Sequence, residues 1–134
     1  AARGRVFIID DELLVRESMT ELLGGWGYEV VAGASADDLL ARAGVAARPD
    51  LIICDWRLRG TETAAHAIGA VRAAYGAEVP ALLITGDTAP NQLRAAHDTG
   101  LVLLHKPVPP GKLRAALGNL IAGRPAPGPR AAVR

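Results

Sequence analysis

The chain has 134 residues, enough for one domain with a real core and too few for two of ordinary size. Hydrophobic residues make up 50% and charged residues 22%, ordinary globular proportions, and a net charge of +1 argues against general attraction to nucleic acid. The single cysteine, Cys54, excludes an internal disulfide, and no apolar run approaches membrane-spanning length. Ala1 to Arg5 lack the apolar core of a signal peptide, so a soluble, reducing, cytoplasmic setting is the expectation.

Arg5-Val6-Phe7-Ile8-Ile9-Asp10 reads as a first strand closing on a carboxylate. Asp10-Asp11-Glu12 leads into a helix over Leu13 to Leu23, with an apolar stripe of Leu14, Val15, Met19, Leu22 and Leu23. Acidic residues in its first turn suit the macrodipole, and Gly24-Gly25 is the expected stop. Trp26 is expected to pack after the turn. Tyr28 to Ala32 forms a short second strand. Ser35 is the expected N-cap of a second helix, with Asp38 completing a weak capping box and Leu39, Leu40 and Val45 facing inward.

Pro49 precedes the third strand, Asp50 to Asp55, whose apolar run Leu51-Ile52-Ile53-Cys54 reads as buried on both faces of a parallel sheet. Within it a buried, inert Cys54 is favoured over a reactive thiol. Trp56 to Gly60 is a loop, and Thr61 to Tyr75 a third helix with Ala64, Ile68, Val71 and Tyr75 inward. Val79 to Ile84 is the fourth strand, ending at Thr85, and Pro90 opens a fourth helix. Leu101 to Leu104 is the fifth strand, ending at His105-Lys106-Pro107, and Pro109-Pro110 opens a fifth helix running to about Ala122. Residues 123–134, rich in proline and glycine, read as a flexible tail after a domain of residues 1–122.

Strands alternating with helices imply a doubly wound α/β fold, a five-stranded parallel sheet with the common small order 2-1-3-4-5. Its switch point lies between the first and third strands and brings Asp10 and Asp11 beside Asp55. Converging carboxylates repel one another unless something positive joins them, and Mg²⁺ is the natural partner. The fourth strand adds the Thr85 hydroxyl and the fifth the Lys106 ammonium. That set suits a transferring phosphoryl group, with a carboxylate as nucleophile.

Ile8-Ile9-Asp10-Asp11-Glu12, Ile52-Ile53-Cys54-Asp55-Trp56-Arg57-Leu58-Arg59-Gly60, Leu83-Ile84-Thr85-Gly86 and His105-Lys106-Pro107 stand in order on four strand ends. Over residues 5–121 the chain thereby resembles the receiver domain of bacterial two-component response regulators, the chemotaxis-regulator-like, flavodoxin-like fold. The resemblance implies that Asp55 is the phosphoacceptor. Asp11 would bind the metal directly, Asp10 largely through a metal-bound water, and the Arg57 carbonyl would complete the protein's share. Thr85 and Lys106 would each meet a phosphoryl oxygen, and the Lys106–Pro107 peptide would be cis. The implied donor is a histidine kinase or histidine phosphotransfer domain, and the implied self-association face comprises the fourth helix, fifth strand and fifth helix. No nucleic-acid or membrane partner is expected. Such a domain catalyses only its own phosphorylation and dephosphorylation.

The finer pattern, Asp55-Trp56-Arg57-Leu58-Arg59-Gly60 with Leu103-Leu104-His105-Lys106-Pro107-Val108, resembles receivers at the C-terminal end of hybrid sensor histidine kinases. A free-standing single-domain regulator is the alternative parent. Three positions before Lys106 the family often carries tyrosine or phenylalanine, which serves as a switch; here it is Leu103. Arg57 and Asp87 occupy places that in this family flank the path of the attacking water, and an Arg–Asp pair there would slow dephosphorylation. Two other functions stand beside this one. A receiver that binds partners without phosphate is disfavoured by the complete acidic, threonine and lysine set. A small aspartyl phosphatase would want an aspartate where Arg57 stands.

Overall fold

The structure, a computed structural model, describes residues 3–44 and 48–123. Val45 and most of the expected tail therefore lie outside the described residues. The elements alternate throughout: β1 (Arg5–Ile9), α1 (Leu13–Gly25), β2 (Glu29–Gly33), α2 (Ala36–Ala43), β3 (Leu51–Asp55), α3 (Ala64–Tyr75), β4 (Ala81–Thr85), α4 (Pro90–Asp98), β5 (Val102–His105) and α5 (Pro110–Ala122). The sheet is parallel in the order β2-β1-β3-β4-β5, as expected.

Strand periodicity divides the core. On β1, Phe7 and Ile9 face one side with Ile52 and Cys54 of β3, beneath Leu39 of α2 and Ile68 and Val71 of α3. Val6 and Ile8 face the other side with Leu51 and Ile53, beneath Leu23 of α1 and Leu113 and Leu117 of α5. Each fully buried side chain of this size contributes about 1.5–3 kcal/mol. β3 is buried along its whole length, because it pairs with β1 and β4 and is covered on both faces.

α2 lies directly on the end of β2. A Cβ added at Gly33 would stand 2.6 Å from the Leu39 backbone nitrogen, so any side chain there would lift α2 off the sheet. The Ser35 cap forms, with its Oγ accepting from the Asp38 N–H at 3.1 Å. Asp38 in turn accepts from the Ala34 N–H, one residue before the cap.

Three local expectations are corrected. α1 continues through Gly25, and the left-handed residue is Gly27 (φ 97°), because Trp26 stays in the right-handed region and seats its ring against the core. The first turn of α1 contains no acid, since Asp11 and Glu12 precede it, and Leu13 and Leu14 are exposed (57% and 76%). That turn begins at the carboxyl edge of the sheet, so only the stripe from Met19 onward packs on the core. α3 starts at Ala64 instead of Thr61, because the Thr63 hydroxyl caps it by accepting from the His66 N–H. An isolated bridge between Arg57 and Thr63 holds the preceding residues as a loop.

Candidate functional site

Parallel pairing in register carries β1 and β3 to the same edge and leaves Asp10 one residue past β1 and Asp55 as the last residue of β3. Both carboxylates are buried, at 3% and 6% exposure. Asp10 is held from three sides: its Oδ1 accepts from the Glu12 N–H at 2.9 Å, its main-chain N–H donates to Gly33, and its carbonyl accepts from the Arg16 guanidinium at 2.7 Å. β4 and β5 deliver Thr85 and Lys106, and the Lys106 N–H donates to the Thr85 carbonyl at 2.8 Å. The Lys106–Pro107 peptide is cis.

The Lys106 ammonium lies 3.4 Å from Asp55, 3.7 Å from Asp10 and 3.8 Å from Glu12. Burial, then the nearby Asp10 charge, pushes the Asp55 carboxyl up to about 6 against the pull of Lys106. Burial also raises Asp10, although the Glu12 N–H and Lys106 oppose it. For Lys106, burial alone would lower the pKa; the Asp55 and Asp10 charges outweigh it and raise it. The Lys106 ammonium thus faces more carboxylate than it alone can neutralise.

Asp10, Asp11, Glu12 and Asp55 each offer an oxygen, all within 4.8 Å of one another. An all-oxygen, anionic, half-buried set of this span suits a hard divalent cation and not a soft one. Arg57 lines the same open cavity, of about 490 Å³, with Asp11, Asp55, Gly86, Asp87 and Lys106. The Arg57–Asp87 pair expected from the sequence is formed on the wall of this cavity: Nε donates to Asp87 Oδ2 at 2.8 Å, and a second guanidinium nitrogen stands at 2.7 Å. The Ala89 N–H and then Arg57 hold the Asp87 carboxyl below the usual range.

A family model described as response regulator receiver domain matches residues 6–118. The chain belongs to that family. CheY4, a chemotaxis protein of Vibrio cholerae, is 30% identical with a TM-score of 0.74, over 89% of this chain and 99% of its own. A receiver domain protein from Clostridium thermocellum shares the fold at 21% identity and TM-score 0.75, over 90% and 95% of the two chains. So does NtrX from Brucella abortus, at 21% identity and TM-score 0.78; the match covers 92% of this chain and 28% of that longer one. Comparison with curated proteins finds no match.

In this receiver the expected residues Asp10, Asp11, Asp55, Arg57, Thr85 and Lys106 all arrive at one sheet edge. Cys54 is buried, its thiol 3.4 Å from the Asp55 carbonyl, and burial pushes its pKa up, so it stays protonated and unreactive. His66, His97 and His105 are exposed, and none of them lines the cavity.

Three residues beyond the expected set also engage the edge. Glu12 extends the acidic group toward Lys106. Arg59 reaches Asp11 at 3.2 Å from the β3–α3 loop. The Trp56 indole donates to Gln92 Oε1 of α4 at 2.9 Å. Glu12 was signalled by its place beside two aspartates. The contacts of Arg59 and Gln92 depend on loop conformation and carry no short-range signal.

Proposed function

We propose that this receiver accepts a phosphoryl group on Asp55 from a phosphohistidine of a histidine kinase or histidine phosphotransfer domain, with Mg²⁺ as cofactor. A carboxylate oxygen of Asp55 attacks phosphorus and the P–N bond breaks. The bond electrons leave with the imidazole, which retains its other proton and departs as a neutral ring, and an acyl phosphate remains on Asp55. Asp10, Asp11, the Asp55 carboxylate and the Arg57 carbonyl are the residues that would hold the metal. When bound, Mg²⁺ supplies the positive charge that clustered carboxylates and an incoming phosphoryl group together lack.

The chain's own groups divide the remaining work. Lys106 stands against Asp55 to neutralise charge as it passes to the phosphoryl oxygens. Thr85, 1% exposed at the adjacent strand end, offers its hydroxyl as a donor to another. The observation that carries this reading is the single Lys106 ammonium facing Asp55 at 3.4 Å and Asp10 at 3.7 Å, amid four carboxylates. Cation–anion geometry of this kind at one sheet edge serves an anion in transit better than a structural ion pair.

Among the described residues no helix is long and apolar enough to cross a membrane, and a kinase-fed receiver works in the cytoplasm. The motif pattern favours a hybrid sensor histidine kinase as the parent protein, testable by reading the gene upstream of Ala1 for a kinase ATPase domain. Self-association is assigned to the α4–β5–α5 face, where Val102 is 41% exposed.

The test is beryllofluoride with Mg²⁺, a phosphoryl mimic, titrated in parallel with acetyl phosphate phosphorylation. A saturable one-site response that Asp55→Asn abolishes is expected. An equal response in Asp55→Asn defeats the reading, and turnover of an added phosphomonoester would favour a phosphatase.

A further inference from the structure

The residue immediately after the acceptor reaches across the molecule. Trp56 donates its main-chain N–H to the Ile84 carbonyl of β4 at 2.8 Å, and its ring packs on the core beside α3. Its indole N–H then bonds Gln92 Oε1 at 2.9 Å, in the first turn of α4. The acceptor strand is thus tied by one side chain to a helix that belongs to a different strand crossover.

α4 is gripped at a second point. Its N-cap, Ala89, has no side chain with which to cap. Asp87 acts in its place: Oδ1 accepts from the Ala89 N–H at 3.0 Å, while the Asp87 N–H donates to Thr85 Oγ1 at 3.0 Å. One grip therefore leads to the end of β4 through Thr85, and the other to the end of β3 through Trp56. Asp55 is itself the end of β3 and pairs with Ile84, next to Thr85.

Little else fixes the helix. Among its described residues only Ala96 is buried, and its packing is chiefly against β5. A cavity of about 280 Å³, lined by Ala65, Gly69, Leu83, Thr99 and Leu101, lies beside its C-terminal end and leaves room for displacement. An element with few buried apolar contacts is the cheapest to move. β5 meanwhile offers no aromatic ring at Leu103, a partly buried leucine packed against the core.

We propose that the Trp56–Gln92 hydrogen bond is the output link of this receiver: it ties α4 to the residue beside the acceptor, so that occupancy of Asp55 is read as a change in the order of α4. The proposal rests on the phosphoacceptor reading. A phosphoryl group on Asp55 draws the Thr85 hydroxyl toward it, and Asp87 and Ala89 follow through their bonds. Trp56 holds Gln92 to the other strand end. The helix spans the two grips and must reorient as they shift. Linkage then requires that a partner holding α4 in its reoriented state tighten phosphoryl-mimic binding by the same factor.

The experiment compares the full wild-type chain with Gln92→Leu, Trp56→Phe and Gln92→Glu, which retains an acceptor oxygen. Hydrogen exchange of the amides in residues 90–98 is measured with and without beryllofluoride and Mg²⁺, and beryllofluoride affinity is measured by calorimetry. In the unliganded state, Gln92→Leu and Trp56→Phe should exchange about fivefold faster than wild type, the worth of one net hydrogen bond. Beryllofluoride should change α4 exchange in wild type and Gln92→Glu severalfold more than in Gln92→Leu and Trp56→Phe, where only the Asp87 grip remains, although all four bind it. An equal beryllofluoride-induced change in all four overturns the link, as does wild type that binds the mimic with no change in α4. Wild type that binds no more mimic than Asp55→Asn fails one step earlier and takes the phosphoacceptor reading down as well.

Discussion

Lys106 Nζ sits 3.4 Å from Asp55 Oδ1, yet the two residues stand at the ends of strands separated by β4, so the ammonium spans the breadth of another strand to reach that carboxylate. Its side chain is 28% exposed while that of Asp55 is 6% exposed, so the pair is neither a free surface bridge nor a fully buried one. Lys106→Met keeps the aliphatic stem and removes the charge. Loss of one preorganised cation of this kind costs on the order of 10²-fold in rate. Acetyl phosphate labelling of Lys106→Met should fall by that order with the fold intact by circular dichroism, and labelling within threefold of wild type would remove Lys106 from the mechanism.

Charge crowding predicts a pH signature in metal-free buffer. The Asp55 carboxyl is pushed from its ordinary 3.8 to about 6 in the folded chain. Below pH 3.8 it is protonated in both states and costs nothing. As pH rises toward 6 the unfolded chain ionises first, so stability is lost across that window and stays lost above it. Asp55→Asn should therefore be more stable than wild type above pH 6, by on the order of 1–3 kcal/mol, with the gain gone near pH 4. Thermal melts at the two pH values check this. Added Mg²⁺ should narrow the difference by stabilising wild type alone.

The paired Arg57 and Asp87 line the same cavity as Asp55, with Asp87 fixed further by the Ala89 N–H. We expect the pair to shield the acyl phosphate from water. Arg57→Ala and Asp87→Ala should each shorten the phosphoryl half-life several-fold, and the double variant should add little, since both remove one contact. Half-lives equal to wild type in both single variants would refute the shield.

Arg59 is expected to compete with a bound metal for Asp11. Its guanidinium stands 3.2 Å from that carboxylate, but its side chain is 81% exposed, so the contact is weak. Arg59→Ala should raise Mg²⁺ affinity by about two- to fivefold at low salt, an effect that fades as salt screens the arginine. A Mg²⁺ titration followed by tryptophan fluorescence measures it, and unchanged affinity at low salt rules the competition out.

The sheet and its edge were legible because they rest on short-range pattern. The buried run Leu51 to Cys54 closing on Asp55 implies a central strand, and strand alternation with helices implies the order that sets Asp10 beside it. Thr85 and Lys106 follow from the same logic, as terminal residues of the next strands. Helix ends were less legible. Gly24 and Gly25 carry the usual stop residue, yet the chain turns at Gly27 because burial of Trp26 outweighs local preference. Leu14 shows helical spacing and still lies exposed, since periodicity cannot tell where a helix overruns the sheet. The bonds from Arg59 and Trp56 depend on how one loop turns, and nothing near them in the chain encodes their partners.

The strand order has a further consequence for how the protein is made. β2, β1 and β3 are neighbours in the sheet and are also the first three strands of this domain to be translated, while β4 and β5 follow on one side. Asp10, Asp11 and Asp55 can therefore be gathered by the nascent chain before Thr85 and Lys106 exist. The three aspartates are thus translated before Lys106, and only completion of the end of β5 supplies the ammonium that faces Asp55 and Asp10.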